Sequence, residues 1–223
     1  RRGTTIILMH LMSKQKQKTN HNKLERPQSL DTAPVHLWVY GIHASIAALR
    51  NPNRRINTIL TTKHSSDFVT ELNNSGLPPH QIIDRNQLDA ILPLDSVHQG
   101  IAVQCDPLPL QHLEDVISNQ SKNSALIILD QANDPRNIGS VLRSAAAFDA
   151  TAVIVPDRGT PMISGSMAKA AAGAIEQVPF VRVKNLARSL RIIKNAGYWC
   201  VGLDSRATQT LAEANLSGRI AIV

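Results

Sequence analysis

Apolar positions along the chain recur in short bursts that switch between two periods, which predicts strands and helices in turn. The run at 37–40 reads as a strand, and 42–50 follows as a helix because Ile42, Ile46 and Leu49 fall on one face. Asn51, Pro52 and Asn53 close that helix. The β-branched stretch 56–61 predicts a strand and 66–74 a helix, stopped by Gly76 and the pair Pro78 and Pro79. A strand at 81–83, a helix at 85–92 and a strand at 101–104 complete this half. Beyond residue 123 the runs 126–129 and 152–155 are apolar throughout, as in strands covered on both faces of a parallel sheet. Helices are predicted at 138–148, 167–174 and 186–195, and strands at 180–183, 199–203 and 220–223. Strands separated by helices of this length predict an α/β fold built on a doubly wound parallel sheet.

The same pattern divides the chain. Residues 1–34 are polar, basic and aperiodic, and predict a disordered tail. Residues 35–106 predict a small N-terminal α/β domain, and 124–223 a larger parallel-sheet α/β domain. Between them 107–123, with Pro107, Pro109 and a polar run at 118–123, reads as a linker. A strand at 220–223 that ended the fold would leave an edge and an apolar face open, so the second domain is expected to be truncated there.

Composition narrows the function classes. Only Cys105 and Cys200 occur, far apart and without neighbouring metal ligands, which argues against a disulfide framework or a metal site and fits a reducing compartment. The apolar runs are too short to span a bilayer. Of the net charge of +7, residues 1–31 carry +5, with seven Lys/Arg against Glu25 and Asp31. Such a tail suits a phosphate-rich partner, or is simply solvated. The opening residues lack the features of a secretory signal, so the cytoplasm is expected, with the mitochondrial matrix as the alternative.

The chemistry concentrates where the strand at 126–129 turns into a helix, since ligands of open α/β sheets collect at the carboxyl ends of strands. Asp134 followed by Pro135 reads as an N-cap with proline at the first helical position. Asn137 then lies in the first turn, where free backbone N–H groups attract anions. Arg143, six residues on, lies about 120° around the helix from Asn137, so the two could flank a ligand. Val141, Leu142, Ala145 and Ala146 surround Arg143, which predicts a partly buried guanidinium in need of an anionic partner. Gly139 would permit close helix–strand packing. Each residue taken singly also describes an ordinary helix start. The glycine-rich phosphate loops of nucleotide-binding enzymes are absent.

The run Leu129, Asp130, Asp134, Pro135, Asn137, Gly139 and Arg143, with its helix and following strand, resembles the first signature motif of the SpoU-type RNA ribose 2′-O-methyltransferases. Tyr40–Gly41–Ile42–His43–Ala44 and Val97–His98–Gln99–Gly100–Ile101 resemble the opening and closing motifs of that family's substrate-binding domain. The stretch from Met167 to Glu176 with Val178 and Pro179, and Asn185 to Arg188, are similar to its later elements. The resemblance covers roughly residues 38–223 and is strongest to bacterial enzymes that methylate a guanosine ribose of large-subunit ribosomal RNA. It implies an RNA-binding N-terminal domain, a C-terminal domain with a trefoil knot, a homodimer, and S-adenosylmethionine as cofactor. It implies active-site roles for Asn137 and Arg143, and cofactor contacts from Gly202 and Leu203. The family's second and third motifs would lie beyond Val223, so the knot is expected to be missing. Where the family usually has glycine after the motif helix this chain has Asp149, which predicts a small stability cost at a left-handed C-cap.

On this reading Arg143 binds the phosphate beside the target ribose and stabilises the developing alkoxide, with a base role open if that phosphate helps take the proton. Asn137 would orient Arg143 or the ribose. His43 and His98 are read as structural, with a catalytic histidine as the alternative. Few aromatic residues are available for base stacking, so RNA recognition is expected to rest on shape, phosphates and 2′-hydroxyls. The rival reading is a non-catalytic RNA-binding module.

Overall fold

The computed structural model describes residues 36–72, 76–118, 122–214 and 216–223, together with the backbone of strand β1 (Thr5–Ile7). Most of the expected tail at 1–34 lies outside the described residues; within it, Thr5–Ile7 pairs antiparallel with two later strands.

The N-terminal half is a four-stranded mixed sheet in the order β2 (Leu37–Tyr40), β5 (Ile101–Cys105), β3 (Ile56–Thr61), β4 (His80–Ile82). Helices α1 (Ile42–Arg50), α2 (Ser66–Thr70) and α3 (Arg85–Ile91) connect the strands. Helix α2 is shorter than the expected 66–74, whose last two residues lie outside the described residues.

The C-terminal half contains β6 (Ser124–Ile128), α5 (Pro135–Ala147), β7 (Ala152–Pro156), α6 (Gly165–Ala171), β8 (Phe180–Val183), α7 (Leu186–Asn195), β9 (Trp199–Leu203), β10 (Gln209–Thr210) and β11 (Arg219–Ile222). The sheet order is β10-β1-β9-β11-β6-β7-β8, and β9, β11, β6, β7 and β8 are parallel. Strand β11, read from the sequence as a buried strand, lies inside the sheet, parallel to β6 on one side and β9 on the other.

The fully apolar strands feed two cores. Val153 and Val155 of β7 point into one, while Ala152 and Ile154 point into the other. The second core is closed by Ile193 of α7 and by Leu113, Val116 and Ile117 of helix α4 (Leu113–Ser118). That helix occupies the stretch expected to be a linker. Its three apolar residues are spaced i, i+3, i+4, and their burial ties the segment to the sheet.

The first core runs through both halves. Val39, Ala44, Ala48, Ile59 and Val103 from the N-terminal sheet and α1 join Ile138, Leu142, Met167, Ala168 and Ala171 from α5 and α6. The expected helix at 167–174 stops early, because Ala172 and Gly173 are left-handed (φ 51° and 98°) and a 3₁₀ turn, Ala174–Glu176, follows. Among the described residues, no helix is long and apolar enough to cross a membrane.

Candidate active site

Helix α5 starts as its sequence dictates. Proline stands at its start and Asp134 at the N-cap, where a side-chain oxygen accepts the Arg136 N–H at 2.8 Å. The helix buries Ile138, Gly139, Leu142 and Ala145, a stripe facing α6 and the sheet. A β-carbon on Gly139 would lie 2.5 Å from the Met167 carbonyl oxygen and 2.7 Å from the Ala170 β-carbon. Gly139 therefore serves a close helix–helix crossing, not the helix–strand contact expected.

Both predicted site residues of this helix face solvent. Asn137 is exposed, as anticipated for the first turn. Arg143 is exposed too, against the expectation of partial burial, because it lies one residue past Leu142 and so about 100° off the buried stripe. Among the described residues neither side chain has a hydrogen-bond or ion-pair partner. Arg136, overlooked in the sequence, is also exposed and lies seven residues before Arg143, within about 20° of it around the axis. That spacing was the signal for it. The helix contains no acidic residue, so nothing on α5 itself competes for the two guanidiniums.

The C-terminal turn puts Asp149 at the left-handed position anticipated for it. Its φ is 52°, and the Ala150 N–H reaches Ala145 O at 2.8 Å while the Asp149 N–H reaches Ala146 O at 3.3 Å. This pair of bonds is a Schellman closure with aspartate in the position glycine prefers.

Gly202 and Leu203 end β9, where the Leu203 N–H donates to Val223 O at 2.8 Å. One strand, β11, separates β9 from β6, so this end lies roughly 10 Å across the sheet from the strand that leads into α5. Gly202 and Leu203 thus lie at the carboxyl edge of the sheet from which α5 is entered, and Arg143 lies about 12 Å further along that helix.

Gln99, a motif residue of the N-terminal half, does a different job: it docks that half onto α6. The Gln99 side-chain oxygen accepts from Ile42 N–H at 3.2 Å and from Lys169 Nζ at 3.0 Å. Burial draws the Lys169 pKa below its ordinary value. Gly165 allows α6 to approach β2, since a β-carbon there would collide with Trp38 O and the Tyr40 ring.

His98 is 2 % exposed, accepts from the Gly100 N–H at Nδ1 (3.0 Å) and lies 2.9 Å from Asp89 through Nε2. With Nδ1 accepting, Nε2 is the protonated nitrogen and donates to Asp89, so the ring is fully used in structure. His43 is exposed, with no hydrogen bond among the described residues.

A buried ion pair completes the docking. Arg54 meets Glu176 through Nη2 at 2.5 Å and Nε at 3.2 Å, with side chains 0 % and 3 % exposed. Asn51 Nδ2 adds a bond to Glu176 at 2.8 Å, and Arg54 Nη1 donates to Asp106 O at 2.9 Å. Arg54 and Glu176 are 122 residues apart in sequence, which no local pattern reveals.

Comparison with known proteins agrees with this anatomy. Residues 124–223 match the SpoU rRNA Methylase family, and residues 38–111 match RNA 2′-O ribose methyltransferase substrate binding. The 23S rRNA (guanosine-2′-O-)-methyltransferase of Photobacterium profundum is 36% identical over 192 residues, covering 83% of this chain and 78% of that protein. Its namesake in Escherichia coli is 35% identical over 193 residues, with the same coverage. The SpoU methyltransferase AviRb from Streptomyces viridochromogenes, solved in complex with AdoMet, superposes with a TM-score of 0.67 at 18% identity, over 84% of this chain and 72% of that one. An rRNA methyltransferase from Sinorhizobium meliloti superposes at 0.64 and 18%, over 85% and 70%. At such identities the two structures establish a shared fold, and the sequence relatives establish more: the chain belongs to the SpoU rRNA methylase family.

Proposed function

We propose that the chain transfers the methyl group of S-adenosylmethionine to a ribose 2′-hydroxyl of ribosomal RNA, with a guanosine of the large-subunit RNA as target. One observation carries the reading. In a chain of this family, Asn137 and Arg143 stand unpartnered among the described residues on α5, the helix entered from the carboxyl edge of the sheet.

The end of β9 fits one side of the cofactor. Leu203 is 40 % exposed and offers apolar surface for a purine, Gly202 adds no bulk, and half-buried Val223 extends that surface on the next strand. When bound, S-adenosylmethionine supplies an electrophilic methyl group. The chain's own residues supply the rest.

A ribose hydroxyl is a poor nucleophile at neutral pH, so its proton must pass to an acceptor, an oxygen of the adjacent phosphate or solvent, as the new C–O bond forms. The Arg143 guanidinium holds the phosphate beside the target ribose and stabilises the negative charge growing on O2′. Asn137 orients that ribose or the guanidinium. The working form on this reading is a homodimer in the cytoplasm, and the exposed Phe148 and Met162 are apolar surface suited to a partner subunit.

The test is transfer of radiolabelled methyl from S-adenosylmethionine to ribosomal RNA by the full-length protein and its Arg143→Ala variant. The variant is expected to lose on the order of 100-fold or more in rate, the scale for one stabilising donor at a developing oxyanion. Cofactor affinity, read by calorimetric titration, should stay unchanged. Transfer that survives the substitution removes Arg143 from the mechanism.

A further inference from the structure

Two clefts open on the N-terminal half, of about 500 Å³ and about 610 Å³, and both are walled by Ile42 and Phe68. They are the two arms of one trough, with Phe68 at the junction. Phe68 is one of three phenylalanines in the chain, and its ring, on the short helix α2, is 41 % exposed.

The larger arm lies at the carboxyl ends of the parallel strands β3 and β4, where Lys63, His64 and Arg85 line it. The smaller arm follows α1 past His43 and Arg50 to Gln177 of the methylase half. Lys63 and Arg50 are exposed and have no ion-pair partner among the described residues. Two acids lie on the walls. Glu176 is neutralised by Arg54, and Asp84 is the N-cap of α3. Arg85 is paired with Asp89 at 4.0 Å, so the trough keeps one unpaired cation in each arm, Lys63 and Arg50, with an accessible aromatic ring between.

We propose that this trough is a track for single-stranded RNA flanking the target nucleotide, with Phe68 as the platform on which one unpaired base stacks. The inference rests on the reading of the chain as an RNA methyltransferase and deepens it by naming the form of RNA recognised. A positively charged groove interrupted by an aromatic face binds unpaired strands, because every base has a π-face and every linkage a phosphate. A duplex keeps its bases stacked on one another and leaves the ring unused. The scarcity of aromatics in the sequence argued against stacking, but one exposed ring at the junction of two basic arms is sufficient.

The experiment is fluorescence anisotropy of the full-length protein with a labelled 12-nucleotide RNA of mixed sequence, single-stranded or annealed to its complement, at fixed salt. The single strand is expected to bind more tightly than the duplex. Phe68→Ala should weaken that binding by roughly 5- to 100-fold, the range for losing one base–aromatic stack, while Phe68→Trp retains it. Removing Lys63 or Arg50 by substitution with alanine should reduce the slope of log affinity against log salt by about one each. These two variants remain informative if Phe68→Ala does not fold.

Equal single-strand affinity for Phe68→Ala and the parent overturns the proposal, as does a preference for duplex or the absence of RNA binding altogether. Methyl transfer to RNA that persists with no Phe68 dependence sinks the track and leaves the enzymatic reading standing. Phe68-dependent RNA binding with no methyl transfer sinks the enzymatic reading and leaves the track.

Discussion

Glu176→Ala probes the joint between the two halves. The substitution deletes a carboxylate that accepts two bonds from Arg54, at 3.2 and 2.5 Å, and one from Asn51 at 2.8 Å. Arg54 keeps a single bond, to Asp106 O at 2.9 Å, and its guanidinium is 0 % exposed. A charge stripped of its partner in such a place costs about 3–5 kcal/mol. With a urea m-value of about 2–3 kcal/mol/M for a chain of this size, the midpoint should fall by about 1–2 M. The assay is urea unfolding followed by circular dichroism for the parent, Glu176→Ala, Arg54→Met, and the double variant Arg54→Met/Glu176→Leu. The double variant removes both charges and leaves apolar side chains, so it should lose less stability than Glu176→Ala alone. A loss below about 1 kcal/mol for Glu176→Ala is the size of an exposed pair. That outcome would mean that water reaches the guanidinium and that the halves are not packed as described.

Two other substitutions test narrower points. Asp149→Gly relieves a left-handed side-chain-bearing residue within an intact Schellman closure, so it should raise stability by about 0.5–1 kcal/mol, measured as a higher Tm; an unchanged or lower Tm would mean the aspartate side chain is contributing there. Burial pushes the Cys105 thiol from 9.0 up to about 11; the Arg54 charge opposes that rise, and Glu176 and Asp106 add to it. The folded state then holds this proton more tightly than the unfolded chain, so stability is intact below pH 9 and is lost as pH rises towards about 11. The total is about 2–3 kcal/mol, and Cys105→Ala, although less stable at neutral pH, should show a flatter decline over that interval; parallel curves would remove the thiol as the cause.

The alternation of periods was enough to find every strand of the parallel sheet, because strands such as β6 and β7 are apolar on both faces and no amphipathic helix imitates that over so short a run. It was not enough to order them. Strand β11 comes last in the chain yet lies between β6 and β9, and only hydrogen-bond pairing, not local pattern, decides that. Helix α4 was hidden for another reason. Its i, i+3, i+4 triplet of Leu113, Val116 and Ile117 was present, but six residues between prolines and a polar run fall below the length at which helical period stands out. The exposure of Arg143 was readable from its angle to Leu142, and counting apolar neighbours in sequence gave the wrong answer because adjacent helical residues face different ways. His98 and Gln99 stood out as motif residues, but the distinction between chemistry and docking needed their partners: Asp89, the Gly100 N–H and Lys169.

The arginines of this chain divide into those that folding accounts for and those, on α5 and α7, that it does not. Arg54 is buried and its donors reach a carboxylate and a carbonyl, so folding itself accounts for its presence. Arg182 likewise spends its donors on Asp157 and the carbonyls of Thr160 and Pro161, fixing the loop after β7. Arg136 and Arg143 have no such account. They are exposed on a helix without a single acid, and Arg136 sits in the first turn, where the helix dipole disfavours a cation by about 0.3–1 kcal/mol. Selection for stability alone would place an acid there. A cation kept in an unfavourable position, one face shared with a second cation two turns on, and Asn137 beside them make sense when an anion arrives from outside. The phosphates flanking a target ribose are such anions, and they would convert the local cost into binding that exists only when substrate is present.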